Sequence, residues 1–142
     1  MNKYKRGQIW LVNFDPSFGH EYKKVRPAII IQHGKYITSS NLLTVIPISS
    51  QIANPTELDI LLKKDNQNRL MKDSLIKTKQ ISSFDKRRFI KLIGIVNEQM
   101  MEKLDKNIHL FLFGTPQKKS EKTDNGNGKK EMKESDVKNK RI

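Results

Sequence analysis

The chain has 142 residues, enough for one domain with its own apolar core, and 28 Lys and Arg against 15 Asp and Glu leave a formal charge of +13. That excess favours polyanionic partners: nucleic acid, an acidic protein segment or an anionic membrane surface. The absence of cysteine excludes disulfides, thiolate catalysis and thiolate zinc sites, and no apolar run is long enough to span a bilayer or to read as a secretory signal, so a cytoplasmic protein without a membrane partner is expected.

Short runs rich in Ile, Val, Leu and aromatics, each bounded by turn residues, predict strands over 8–14, 27–32, 42–49, 57–62, 73–77 and 89–96. Trp10, in the first, is expected in the core. A polar segment broken by Pro16 and Gly19 and carrying His20 and Glu21 separates the first two runs. Arg26 stands at the mouth of the second, where the following Pro27 favours an extended backbone and a side chain projecting from the rim. Pro47 lies inside the third run and lacks a backbone donor, so an edge or a bulge is expected there. After the sixth run the period changes: Met100, Met101, Leu104, Ile108, Phe111 and Leu112 recur at three- and four-residue spacing. This predicts a helix with Asn97 as its N-cap, Glu98 in its first turn, Gly114 at its close and an apolar stripe packed on the sheet. Many strands followed by one helix argue for a small barrel or curled sheet and against a doubly wound parallel sheet.

Composition shifts after Gly114. Residues 115–142 hold nine basic and five acidic residues, a charge of +4 that leaves +9 on residues 1–114. The larger apolar side chains of this segment are Met132, Val137 and Ile142, too few to offset the entropy of ordering it. Asn125-Gly126-Asn127-Gly128 has hairpin chemistry, but its flanks are lysine and glutamate instead of alternating apolar residues. A folded domain over 1–114 and a basic, flexible tail over 115–142 are expected, with weak electrostatic attachment to RNA as the alternative role for the tail.

The chemistry is constrained by what is missing. His20, His33 and His109 share no metal-ligand spacing, and no Gly-rich phosphate loop, nucleophile elbow or paired-carboxylate motif is visible. The informative stretch runs from Gly7 through the first strand to Asp15-Pro16, then Gly19-His20-Glu21, Tyr22-Lys23-Lys24-Val25 and Arg26-Pro27, and ends in Ala28-Ile29-Ile30-Ile31. In order and spacing it resembles the opening signature of the MazF/PemK family of toxin endoribonucleases. The resemblance continues through Val45-Ile46-Pro47-Ile48-Ser49-Ser50, Asp73-Ser74-Leu75-Ile76 and Gln80-Ile81 into the final helix, covering about residues 4–114.

The resemblance implies a mainly β fold with a C-terminal α-helix, a small SH3-like barrel of the PemK/CcdB toxin type. It also implies metal-independent, cofactor-free cleavage of single-stranded RNA to 2′,3′-cyclic phosphate and 5′-hydroxyl ends, a homodimer, and a cognate antitoxin protein as partner. Such a reaction needs a base for the ribose hydroxyl, donors for the charge on the phosphate and an acid for the leaving oxygen. Arg26 suits the phosphate, being permanently charged and bidentate. His20 suits proton transfer, because free imidazole titrates at about pH 6.5. Ser49 matches the family's hydroxyl contact to the scissile phosphate, and Glu21, Lys23, Lys24, Lys77, Lys79 and Gln80 complete the expected RNA-binding set.

Phe18 and Tyr22 are candidate stacking platforms for bases. Some PemK-type members carry an Arg and an Asp two residues apart before the glutamine matching Gln80; here the positions hold Lys77 and Lys79, so the reaction would fall to His20 and Arg26. Taken without the resemblance, Arg26 would be a solvated charge, His20 a turn residue, Ser49 a strand end and Glu21 a partner for Lys23 or Lys24. Two alternatives remain: a gyrase-directed, protein-binding toxin on the same fold, and a catalytically silent RNA-binding module.

Overall fold

The computed structural model describes residues 3–15 and 25–115. Seven strands and a helix follow one another: β1 (Gln8–Asn13), β2 (Val25–Ile30), β3 (Leu42–Ser49), β4 (Ile60–Leu62), β5 (Ser74–Ile76), β6 (Ser82–Asp85), β7 (Phe89–Ile95) and α1 (Glu98–Phe113). The chain divides into two units at the Phe111/Leu112 junction; the first holds all seven strands, and of the second only 112–115 are described. The strand order is β4-β5-β3-β2-β1-β7, with β6 also paired to β3, and every ladder is antiparallel. The mainly β architecture with one C-terminal helix is as expected. The strands form no closed ladder among the described residues, since β4 and β7 end the path.

What joins those ends is a loop. The carbonyl of Gln67 accepts the Ile95 N–H at 3.0 Å, and a Cβ on Gly94 would fall 2.4 Å from the Asn68 carbonyl oxygen, so only glycine lets this loop lie on β7. Asn68 is buried and fully engaged: its Oδ1 accepts from the N–H groups of Asp65 and Leu70, and its Nδ2 donates to the Lys63 carbonyl. A polar loop thus completes a curled sheet that the strands leave open.

Each of the six predicted runs contains a strand. The fourth is shorter because the chain turns first: Leu58 has φ 74 and the Asp59 N–H donates to the Thr56 carbonyl at 3.1 Å. β6 carries no apolar run; backbone pairing to Leu42–Val45 and a 2.7 Å Thr44–Ser83 hydroxyl bond hold it. Pro47 is neither on an outer edge nor in a bulge. It pairs with Ala28 on one side, while its carbonyl accepts from the Lys77 N–H on the other. The N and C=O of one strand residue share an edge, so the missing donor falls where β3 changes partner from β6 to β5.

The central strands bury both faces, and alternation sorts their side chains into two cores. Ile9, Ile29, Ile46 and Ile48 face the helix with Met101 and Leu104; Trp10, Val12, Ala28, Ile30, Leu43 and Val45 face the other way with Tyr4 and Phe89. The helix begins as expected, Asn97 Oδ1 accepting the Met100 N–H at 2.8 Å, and ends at Gly114 with φ +76. Its stripe is only partly covered: Met101 and Leu104 are buried and Met100 and Ile108 partly so, whereas Phe111 and Leu112 are exposed, contrary to the expected packing.

Candidate functional site

Arg26 is the second residue of β2, paired across from Val12 of β1. Even positions of both strands face the aromatic core, so the Arg26 side chain leaves the sheet on that face, at its rim. There its guanidinium carbon lies 5.9 Å from the centre of the Phe14 ring. Phe14 meets Phe84 edge-on at 4.7 Å and 70°, and the Arg88 guanidinium lies 6.0 Å from the centre of the Phe84 ring. Arg88 Nη1 also donates to the carbonyls of Asn13 at 3.1 Å and Asp15 at 2.6 Å, fixing the exit of β1 where residues 16–24 begin. Among the described residues no carboxylate pairs with Arg26, so its charge and its donors remain available.

Ser49 reaches the same place from β3. The β2–β3 register sets Ala28 opposite Pro47 and Ile29 opposite Ile46; two residues further along each strand, Arg26 stands opposite Ser49 on the same face. Ser49 Oγ accepts the Gln51 N–H at 3.1 Å, which leaves the hydroxyl proton free to be donated. Lys79 and Gln80 are exposed on a 3-10 turn, Thr78–Gln80, in the gap between β5 and β6.

Lys77 has a different environment. Its ammonium donates to Asp59 Oδ2 at 2.8 Å, and the same oxygen accepts the Thr56 N–H and hydroxyl at 2.7 and 3.0 Å. The Asp59 side chain is 1 % exposed. Burial by itself would raise its pKa, but the bonds from Lys77 and Thr56 outweigh that and hold the carboxyl below its ordinary range. Lys77 is therefore committed to anchoring the turn that precedes β4.

His20, Glu21, Lys23 and Lys24, like Phe18 and Tyr22, lie outside the described residues. Trp10 is buried as expected, its indole N–H bonded to Gln8 Oε1 at 2.8 Å. The sequence reading passed over Phe14, Phe84, Arg88 and Asp59; an aromatic closing β1 beside the Arg-Pro entrance of β2 was the available signal for the first. Two clefts run along α1, one past Arg6, Glu98 and Asp105 and one past Leu61, Asn68 and Lys103, and neither is lined by Arg26. The Arg26 rim lies outside both, on surface of the kind a polymer can cross. No three His, Asp or Glu among the described residues approach closely enough to hold a metal, and no described helix is long and apolar enough to cross a membrane.

Comparison with known proteins agrees with this geometry. A family model described as PemK-like, MazF-like toxin of type II toxin-antitoxin system matches residues 5–112. The chain is 29% identical over 113 residues to the endoribonuclease MazF9 of Mycobacterium tuberculosis, spanning 76% of this chain and 95% of that protein. It is 32% identical over 111 residues to the endoribonuclease EndoA of Bacillus subtilis, spanning 76% and 93%. In fold it is similar to MazF of Deinococcus radiodurans, with a TM-score of 0.64 at 19% identity over 79% of this chain and 98% of that one. A mycobacterial endoribonuclease in complex with its cognate antitoxin gives 0.64 at 15% identity over 80% and 98%. With a match that runs from before β1 to the last turn of α1, the chain belongs to the PemK-like, MazF-like toxin family of type II toxin-antitoxin systems.

Proposed function

We propose that this protein is an endoribonuclease toxin that cleaves single-stranded RNA without a metal or cofactor, acts in the cytoplasm as a homodimer, and is held inactive by a cognate antitoxin. The observation that carries the reading is the strand register that sets Arg26 and Ser49 on one face at one end of the β2–β3 ladder. Family membership and the two endoribonuclease relatives supply the substrate class.

In the proposed reaction His20 removes the proton from a ribose 2′-hydroxyl, and that oxygen attacks the adjacent phosphorus. Arg26 holds two non-bridging oxygens as their charge grows, and Ser49 donates its free hydroxyl proton to the same phosphate. The bond to the 5′-oxygen breaks, the departing oxygen takes a proton, and a 2′,3′-cyclic phosphate and a 5′-hydroxyl remain. Because Lys77 is tied to Asp59, the cation beside this rim on the 3-10 turn is Lys79; Lys79 and Gln80 contact the neighbouring backbone or base, while Glu21, Lys23 and Lys24 flank His20.

End-group analysis tests this directly. Chelator-treated protein added to a defined RNA is expected to leave cyclic phosphate and 5′-hydroxyl ends; intact RNA, or ends carrying 5′-phosphate, would overturn the reading. A protein-directed toxin is the second reading, and one observation favours it: Phe111 and Leu112 at the end of α1 are exposed instead of packed. Inhibition of DNA gyrase supercoiling by a protein inert towards RNA would establish that alternative.

A further inference from the structure

We propose that Phe14 is a positioning residue for Arg26, and that Phe84 and Arg88 are the frame that holds Phe14 in place. The inference rests on the reading of Arg26 as the phosphate-binding group. An arginine on a strand rim has a long, freely rotating side chain, and a phosphate site needs it in one orientation with its charge intact. An ion pair would fix the guanidinium but neutralise it and occupy its N–H groups. An aromatic face fixes it through the ring quadrupole and leaves the N–H edge free for phosphate oxygens. Phe14 supplies that face at 5.9 Å.

Phe14 is itself over-determined. Phe84 meets its ring edge-on at 4.7 Å, and Arg88 binds the carbonyls of Asn13 and Asp15, the two residues that flank it, at 3.1 and 2.6 Å. Arg88 lies over the Phe84 ring, so two guanidiniums bracket a pair of rings, one clamping backbone and one facing outward. Phe14 and Phe84 are only half-buried at the margin of the aromatic core, where an aliphatic side chain would fill the same space. The aromatic identity at position 14 therefore serves Arg26 more than the core.

The test compares the full chain with Phe14→Leu, Phe14→Tyr, Arg26→Ala and a protein carrying pentafluorophenylalanine at position 14, which keeps the ring's shape and reverses the charge of its face. Phe14→Leu and the fluorinated ring are expected to lower kcat for RNA cleavage by about fivefold, with KM changed less than about twofold, and Phe14→Tyr to restore it. In nitrogen-15 spectra the Arg26 Nε–H resonance is expected to lose its ring-current shift in Phe14→Leu. If Phe14→Leu does not fold, the fluorinated protein decides alone. Full kcat in the fluorinated protein beside an inactive Arg26→Ala overturns the positioning role and leaves the nuclease reading standing. A wild-type protein inert towards RNA, whose Arg26 resonance still moves when the ring is changed, overturns the nuclease reading and supports the contact.

Discussion

The two faces of the sheet differ in what finishes them. On one, Ile9, Ile29, Ile46 and Ile48 run into Met101 and Leu104 of α1, and the core that results is aliphatic throughout. On the other, the aliphatic core gives way at its margin to Phe14 and Phe84, with Arg26 and Arg88 over their rings. The same strands build both, because successive side chains alternate sides. Stability and chemistry can therefore be perturbed separately: a change on the helix face should cost folding, and a change at the aromatic rim should cost activity.

Substitutions at the extremes are the sharpest way to break that comparison. Leu104 is 0 % exposed beneath the helix, and Leu104→Ala should destabilise the protein by about 2–5 kcal/mol in urea titration while leaving the kcat of the folded fraction unchanged. Arg26→Ala should do the reverse: a loss of about 10²–10³ in kcat, of the size seen when one donor to a developing oxyanion is removed, with an unaltered urea midpoint. If both variants lost stability and activity together, the separation of faces would be wrong.

Smaller effects sharpen it. Asn97→Ala removes the acceptor for the Met100 N–H and should cost about 1 kcal/mol of stability, again without a change in kcat. The pH dependence of folding should carry the mark of Asp59, whose carboxyl is held below its ordinary 3.8 by Lys77 and Thr56. A group with a depressed folded pKa contributes stability that is full above 3.8 and is lost as pH falls through the lower folded value. Thermal melting below about pH 4 should thus fall more steeply in the wild type than in Asp59→Asn.

Sequence reasoning found what repeats and missed what does not. The strands of the double-faced core were legible because burial on both sides writes continuous Ile and Val runs, and α1 was legible from its spacing and from Asn97. β6 was not, because Ser82, Ser83 and Asp85 join the sheet through backbone pairing that leaves no apolar trace. Pro47 was read against the wrong alternatives, since a partner change within one strand depends on where β5 and β6 end. The loop around Asn68 was silent for the same reason: its bonds go to main-chain groups that no side-chain pattern reveals.

The site shows the same division. Arg26 and Ser49 were proposed from the family signature, and the register sets them on one face. Lys77 read as a free cation until the position of Asp59, 18 residues earlier, gave it a partner. Nor does a sequence show that Phe14 and Phe84, far apart in the chain, meet edge-on beneath Arg26. His20 and Glu21 rest on the family signature alone, as they fall outside the described residues.

The most direct test of the Arg26–Ser49 rim as the phosphate site is an amide and arginine side-chain NMR titration with a single-stranded RNA made uncleavable by 2′-deoxy substitution. The account predicts that the largest shifts fall on the Arg26 Nε–H, the Ser49 amide and the neighbouring Lys79 and Gln80, and that they weaken as salt is raised. Shifts concentrated on the exposed end of α1, with Arg26 and Ser49 unmoved at saturation, would contradict it.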